Sequence, residues 1–203
     1  MVPDDPLNVP RETQDRLAAF TALLRRWNRT LNLVSKTELE RDITERHIAQ
    51  SIAMIPLFPS GVDRFIDLGS GGGFPAIPIA IATGFHVDMI ESDQRKAAFL
   101  ETTLATLNLR GTVWTQRIEA STVTPAQCVT ARALAALPQL LSYTSRHLQP
   151  GGVALFLKGD RVEEEIVAAR ACWVFQSELA NLPTKGSRIL KISRLEPRHD
   201  LSR

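Results

Sequence analysis

The stretch Asp67-Leu68-Gly69-Ser70-Gly71-Gly72-Gly73-Phe74-Pro75 constrains this chain more than any other. It ends a short apolar run, Arg64-Phe65-Ile66-Asp67-Leu68, and is followed by Ala76 to Thr83, which is almost wholly apolar. Such a run closing on a glycine cluster reads as a buried strand ending in a tight loop. The apolar stretch behind it reads as a helix, with Pro75 tolerated in the first turn. Glycines let backbone approach a ligand closely. The helix end behind them offers free N–H groups and the positive end of a dipole.

The rest of the chain extends this unit. Strands are expected at 86–91, 112–116, 128–132, 153–158, 173–180 and 187–194. Helices are expected at 75–83, 93–108, 134–148 (stopped by Pro150-Gly151-Gly152) and 163–172. Alternation of this kind predicts an α/β fold: a seven-stranded, mostly parallel sheet with helices on both faces. Ahead of it lies a helical preface. Leu17, Phe20, Leu24, Trp27 and Leu31 recur at helical spacing. Thr37 to Glu40 reads as a capping box, and Leu39, Ile43, Ile48, Ile52 and Ile55 form a second face. Pro56, Pro59 and Gly61 end it. The expected division is an N-terminal helical extension, 1–60, packed on a body, 61–203. Trp27 belongs to the apolar stripe and is expected in the core, with Asn28 beside it.

The glycine spacing narrows the ligand. The dinucleotide fingerprint G-x-G-x-x-G fails, because its sixth position is Phe74 counted from Gly69 and Ala76 counted from Gly71. What stands is G-x-G-x-G at Gly69, Gly71 and Gly73, a spacing similar to that of class I methyltransferases that use S-adenosyl-L-methionine. Glu91 ends the second expected strand, where the tips of adjacent parallel strands lie side by side. A carboxylate there can accept hydrogen bonds from both hydroxyls of a ribose. Asp67, at the tip of the first strand, is placed near the amino-acid end of such a ligand.

Composition leaves the partner open. With 24 basic and 22 acidic side chains the net charge is +2, which neither demands nor excludes nucleic acid. Two basic clusters stand out: Arg25, Arg26, Arg29 and Lys36, and then Lys185, Arg188, Lys191, Arg194, Arg198 and Arg203, the second diluted by Glu196 and Asp200. Along one face they would attract phosphates. Two cysteines, Cys128 and Cys172, are too few for a cysteine zinc site, and both are expected to be small core residues. No apolar run approaches the ~20 residues that span a bilayer. The acidic, proline-rich start is unlike a secretory signal. The expectation is a cytoplasmic protein with no membrane partner. It is also a monomer, since no heptad run is long enough to force a coiled coil.

Several further pieces, in order, resemble one family. They are Trp27-Asn28 with Asn32-Leu33, Arg46-His47 with Ser51, the loop from Asp67 to Pro75 with Ile77-Pro78, and Glu91-Ser92 with Arg95-Lys96 and Phe99-Leu100. Arg117 and Glu119, Thr130-Ala131-Arg132-Ala133 and Leu157-Lys158-Gly159 complete the set. Across roughly residues 20–160 the chain resembles the ribosomal RNA small subunit methyltransferase G family, RsmG or GidB. The resemblance implies a Rossmann-like class I methyltransferase fold. It also implies transfer of a methyl group from S-adenosyl-L-methionine to N7 of the guanosine at position 527 of 16S rRNA, on the small ribosomal subunit or its precursor. Carried over, Gly69, Phe74, Ile118, Glu119 and Arg132 contact the cofactor, joined by Asp67, Ser70, Gly71, Gly73 and Glu91. Gln50 stands where the family often has Asp, and Ala76 where it usually has Gly.

The residues suit that chemistry. N7 carries an in-plane lone pair, so attack needs no general base. The exocyclic-amine motif Asn/Asp-Pro-Pro-aromatic is replaced after the fourth strand by Arg132-Ala133-Leu134-Ala135. Catalytic candidates are Arg132, Lys158, His47 and Arg46. Lys158 ends the fifth strand, where it serves either as a ligand for phosphate or the guanine edge or as a solvent-facing terminus. Arg46 and His47 can fold over the substrate mouth. Class I methyltransfer to another RNA, a protein or a small molecule is the alternative.

Overall fold

The computed structural model describes residues 7, 9–35, 43–182 and 186–198, with nothing said of the side chains of residues 44 and 45. Helix α1, Arg11–Trp27, comes first. A π-helical turn, Ile43–Ile48, runs into the four-residue α2, Ala49–Ile52, and a 3-10 turn, Ile55–Leu57. Then follow β1 (Arg64–Leu68), α3 (Ala76–Thr83), β2 (His86–Glu91), α4 (Gln94–Thr106) and β3 (Gly111–Thr115). A 3-10 turn at Ile118–Ala120 leads to β4 (Ala126–Arg132), α5 (Leu137–His147), β5 (Leu148–Lys158), α6 (Val162–Ala169), β6 (Trp173–Asn181) and β7 (Arg188–Pro197).

The sheet order is β3-β2-β1-β4-β5-β7-β6. The first five strands run parallel and β7 runs antiparallel between β5 and β6. Strand order reverses between β1 and β4, which makes their C-terminal tips the natural crevice of the sheet. Alternation along β1 separates two cores. Phe65 packs with α1, α3 and α4, whereas Ile66 and Leu68 pack with α5 and α6. Helix α3 is apolar all round because both its sides are covered: six consecutive residues, Ala76 to Ile81, are buried between the sheet and α1. It ends at Gly84, whose φ of 71° is the left-handed cap that glycine adopts without strain. Helix α4 starts on Asp93, whose Oδ1 accepts from Arg95 N–H at 2.8 Å and Lys96 N–H at 3.2 Å.

The preface departs from the expected pair of regular helices. Helix α1 stops at Trp27, so Leu31 is not on its stripe; Asn28 turns the chain instead. Its Oδ1 accepts from Leu33 N–H (2.8 Å) and Val34 N–H (3.0 Å), and its amide donates to Val34 O at 3.0 Å. The Thr37–Glu40 box, Leu39, Lys36, Lys185, Asp200 and Arg203 lie outside the described residues. What is described of the second helix is π-helical, then α, then 3-10, and it buries Met54 completely. Leu17, Phe20, Leu24, Ile48 and Met54 share one apolar cluster with Phe65, Ile77 and Phe99 of the body.

Three more expectations change. Strand β5 starts at Leu148, five residues early, because Pro150-Gly151-Gly152 forms an irregularity inside the strand before regular pairing resumes at Val153. A Cβ at Gly152 would stand 2.8 Å from Gln127 O, so the two backbones meet closely there. Cys172 is exposed and lies beyond α6, not in the core; Cys128 is fully buried. The second basic cluster is partly neutralised: Arg188 pairs through its two terminal guanidinium nitrogens with Glu163, and Lys191 with Glu178 at 3.2 Å. No helix among the described residues is long and apolar enough to cross a membrane.

The far end of the sheet is tied by Asp88 on β2. Its carboxylate accepts from Arg64 Nε at 2.7 Å and Trp114 Nε1 at 2.8 Å, joining β1, β2 and β3. Arg64 also donates to Thr124 O and Pro125 O ahead of β4. Replacing Asp88 with Ala strands the N–H of a half-buried indole and a partly exposed guanidinium. The Asp88→Ala variant is expected to lose about 2–3 kcal/mol, read as a lower urea midpoint with an unchanged m-value.

Candidate active site

The glycine loop is held at several points. Gly69 N–H and Ser70 N–H donate to Ile90 O (2.9 and 3.3 Å), and Gly73 N–H donates to Ser70 O at 2.7 Å. Gly69, Gly71 and Gly73 have φ of 67°, 50° and 84°, the region where a side chain is strained. A Cβ on Gly69 would come within 2.5 Å of Leu134 Cδ1, and one on Gly73 within 2.8 Å of Ile77 Cγ1. Glu91 fastens the loop to the next strand. Its Oε2 accepts from Gly71 N–H at 2.9 Å and its Oε1 from Asp93 N–H at 2.8 Å. Each oxygen keeps a further lone pair for a ligand hydroxyl.

Phe74 is buried at the centre of the preface contact. Its ring meets Phe20 edge-on (5.3 Å between centroids), lies 5.2 Å from the His47 ring, and has the Arg132 guanidinium carbon 5.9 Å from its centroid. The Asn28 turn brings Leu33 to the far side of the loop, where a Cβ on Gly72 would stand 3.0 Å from Leu33 O.

Three adjoining cavities open at the strand tips. One, of about 390 Å³, is bounded by Gly69, Gly71, Glu91, Ile118, Glu119 and Tyr143. A second, of about 260 Å³, continues past the same glycines to Ser70, Phe74, His47 and Arg132. The third, of about 430 Å³, is bounded by Arg46, Gln50, Arg132, Lys158 and Glu165. Ala133 borders all three. Its φ of 47° is a strained value for alanine, of the kind that collects at functional sites.

This arrangement has known counterparts. The family model for rRNA small subunit methyltransferase G matches residues 13–192. The chain belongs to that family. The ribosomal RNA small subunit methyltransferase G of Acidiphilium cryptum is 49% identical, over 93% of this chain and 94% of the relative. That of Rhodospirillum centenum is 44% identical, over 94% and 88%. Among solved structures, the O-methyltransferase from Bacillus cereus in complex with SAH superimposes with a TM-score of 0.58 at 15% identity, covering 96% of this chain and 93% of that one. A methyltransferase from Pyrococcus furiosus gives 0.59 at 14%, covering 89% and 97%. These likenesses show the fold, a class I Rossmann-like methyltransferase.

Within this rRNA methyltransferase, the candidate residues fall into two sets. Gly69, Ser70, Gly71, Phe74, Glu91, Ile118, Glu119, Arg132, His47, Arg46 and Lys158 all border one or more of the three cavities. Asp67, on β1, and Gly73, at the end of the loop, border none of them. Lys158 is not solvent-facing: its Nζ donates to Glu165 Oε2 (2.7 Å) and Ala135 O (3.0 Å), and the residue is buried at the edge of the third cavity. Glu165 Oε2 also accepts from Leu137 N–H at 2.8 Å, the first residue of α5. The pair thus fixes the 133–136 turn between β4 and α5. Glu119 is exposed; its own backbone N–H and then the Tyr143 hydroxyl, at 2.9 Å, hydrogen-bond its carboxylate and hold it below the usual range. Sequence reasoning missed Gly72, Ala133, Tyr143 and Glu165. Gly72 carried a signal as the remaining member of the glycine cluster, and Ala133 as the end of the Thr130–Ala133 stretch; Tyr143 and Glu165 carried none.

Asp67 is fully buried. Thr130 Oγ1 donates to its Oδ1 at 2.6 Å, and Oδ2 has no hydrogen-bond partner among the described residues. Loss of hydration pushes its carboxyl up to about 7, against the opposing influence of the Ser70 and Thr130 hydroxyls. Between pH 4 and 7 the unfolded chain ionises this group freely while the folded chain keeps it protonated. Stability therefore falls as pH rises across that window and levels off above it, with a slope of at most about 1.4 kcal/mol per pH unit from this group. The Asp67→Asn variant is expected to lose that component, so urea midpoints at pH 5 and pH 8 will differ less in the variant than in the native chain.

Proposed function

We propose that this chain transfers a methyl group from S-adenosyl-L-methionine to N7 of the guanosine at position 527 of 16S rRNA, on the small ribosomal subunit or its precursor. The carrying observation is the meeting of three cavities at Ala133, beside a glycine loop clasped by Glu91, in a chain of this family. We assign the first two cavities to the cofactor and the third to the RNA base. The protein is proposed to act in the cytoplasm as a monomer, with residues 1–60 packed as an extension on 61–203.

The residues present fit the cofactor. At Gly69, the φ of 67° strains any side chain, and bare backbone faces the cavity. Glu91 presents carboxylate oxygens in a buried position, suited to two ribose hydroxyls. Ile118 gives an apolar wall for adenine, with Glu119 beside it. Gly69, Ser70, Gly71 and Phe74 form the floor toward Arg132. When bound, the cofactor supplies an electrophilic methyl on a sulfonium.

The chain's own work is alignment and exclusion of water. N7 needs no deprotonation, and the positive charge moves from donor to purine without net creation. No residue has to serve as a base. Holding the partners in line is worth ~7–11 kcal/mol in favourable systems. Arg132, stacked near Phe74 and bordering both the second and third cavities, orients the base where they meet. Arg46 and His47 close the preface side, and Lys158 acts by holding the 133–136 turn. Arg25, Arg26 and Arg29, exposed on and just beyond α1, are available to RNA phosphates.

Small subunits from a strain lacking the endogenous modification, incubated with the purified chain and S-adenosyl-L-methionine, are expected to gain borohydride–aniline scission at position 527. Absence of that scission overturns the proposal. The Glu91→Ala variant frees Gly71 N–H and Asp93 N–H and removes the ribose acceptor. By calorimetry, its affinity for S-adenosylhomocysteine is expected to fall at least about tenfold.

A further inference from the structure

The third cavity has a lining whose chemistry goes beyond contact with a generic base. Glu165 borders it, and one of its two carboxylate oxygens is already spent. Oε2 accepts from Lys158 Nζ at 2.7 Å and from Leu137 N–H at 2.8 Å. Oε1 accepts no hydrogen bond from any described residue, and the side chain keeps 28% of its surface exposed. The carboxylate is therefore fixed in place through one oxygen and offers the other. Gln50, a buried amide that can both donate and accept, borders the same cavity, as does Arg46.

We infer that Glu165 is the residue that selects guanine, its Oε1 accepting from the N1–H and 2-amino edge of the target base in the Arg46–Gln50–Glu165 cavity. The inference rests on the methyltransferase reading above and names the base-reading residue of that site. A guanine placed with N7 at the Ala133 junction must direct its N1–H and 2-amino edge, which lies across the ring system from N7, toward the remaining lining. Guanine offers two adjacent donors there. Adenine offers an acceptor at N1 and no 2-amino group, so it would face a carboxylate with a lone pair. A carboxylate anchored by a lysine and a backbone N–H cannot swing away to relieve that mismatch. A cavity of about 430 Å³ has room for a purine with its sugar edge. Removing a hydrogen-bonding group from a ligand whose site is built to pair with it is strongly discriminated against.

The test compares small subunits carrying guanosine or inosine at position 527, inosine being guanosine without the 2-amino group. Methyl transfer from labelled S-adenosyl-L-methionine is measured as kcat/KM for each. The native chain is expected to favour guanosine by at least about tenfold. In Glu165→Gln the ratio is expected to approach one, with S-adenosylhomocysteine affinity held within twofold as a check that the cofactor cavities are intact. A purely structural role for Glu165 would slow both substrates equally and keep the ratio. That result overturns the inference. So does a native chain that methylates inosine as well as guanosine, an outcome that needs no variant to fold. If the native chain modifies neither substrate, the methyltransferase reading itself fails, and the two failures are thereby told apart.

Discussion

Glu91 holds two backbone N–H groups at once, and the geometry of the cleft depends on that grip. One oxygen takes Gly71 from the loop after β1 and the other takes Asp93 at the start of α4. A glycine loop with three residues at positive φ has little conformational preference of its own. Fastening it to the tip of β2 converts a flexible turn into a fixed shelf. Asp93 then caps α4 through its own side chain, so the same carboxylate that shapes the shelf also sets where the next helix begins. Charge-assisted hydrogen bonds to backbone N–H are among the stronger ones a buried site can use.

The second anchor is apolar. Phe74 closes the glycine loop and lies between Phe20 of α1, His47 of the preface and Arg132 of β4. Because of it, the helical preface is a wall of the site and not an appendage to it. The Asn28 turn brings Leu33 and Val34 to the second cavity, and Arg46 and Gln50 reach the third. A displacement of α1 would therefore disturb cofactor and base cavities together.

Much of this was legible in the chain itself. The strand, loop, helix, strand and acid from Arg64 to Glu91 announced the sheet, because apolar runs and glycine spacing are local signals. The positions of the later strands followed from the same alternation; the insertion of β7 between β5 and β6 did not. The preface is less legible. Its apolar period is helical, yet the Asn28 side chain offers the backbone Leu33 and Val34 alternatives to helical bonds, which ended α1 at Trp27. Pro150-Gly151-Gly152 looked like a helix stop with a loop and instead sits within β5, where pairing to β4 absorbs it. The conformation of Ala133 could not be foreseen: nothing in an alanine marks a φ of 47°, which the turn between Arg132 and α5 imposes. Lys158 and Glu165 are seven residues apart on a strand and a helix, so their pairing is a tertiary fact.

The polar groups of the site share one property that bears on its chemistry. Glu91 is occupied by two N–H groups, Lys158 by Glu165 and Ala135, and Asp67 is buried on β1 with its carboxyl raised to about 7. A reaction that must remove a proton needs a group with a matched pKa within hydrogen-bond reach of that proton. Methyl transfer to a ring nitrogen with a free lone pair asks for none of this. It asks for a rigid shelf, a dry junction and a base held in line. A site in which Glu91, Lys158 and Glu165 fix backbone, at Gly71, Asp93, Ala135 and Leu137, is built for that demand, because what they make rigid is the geometry around the point where the cavities meet.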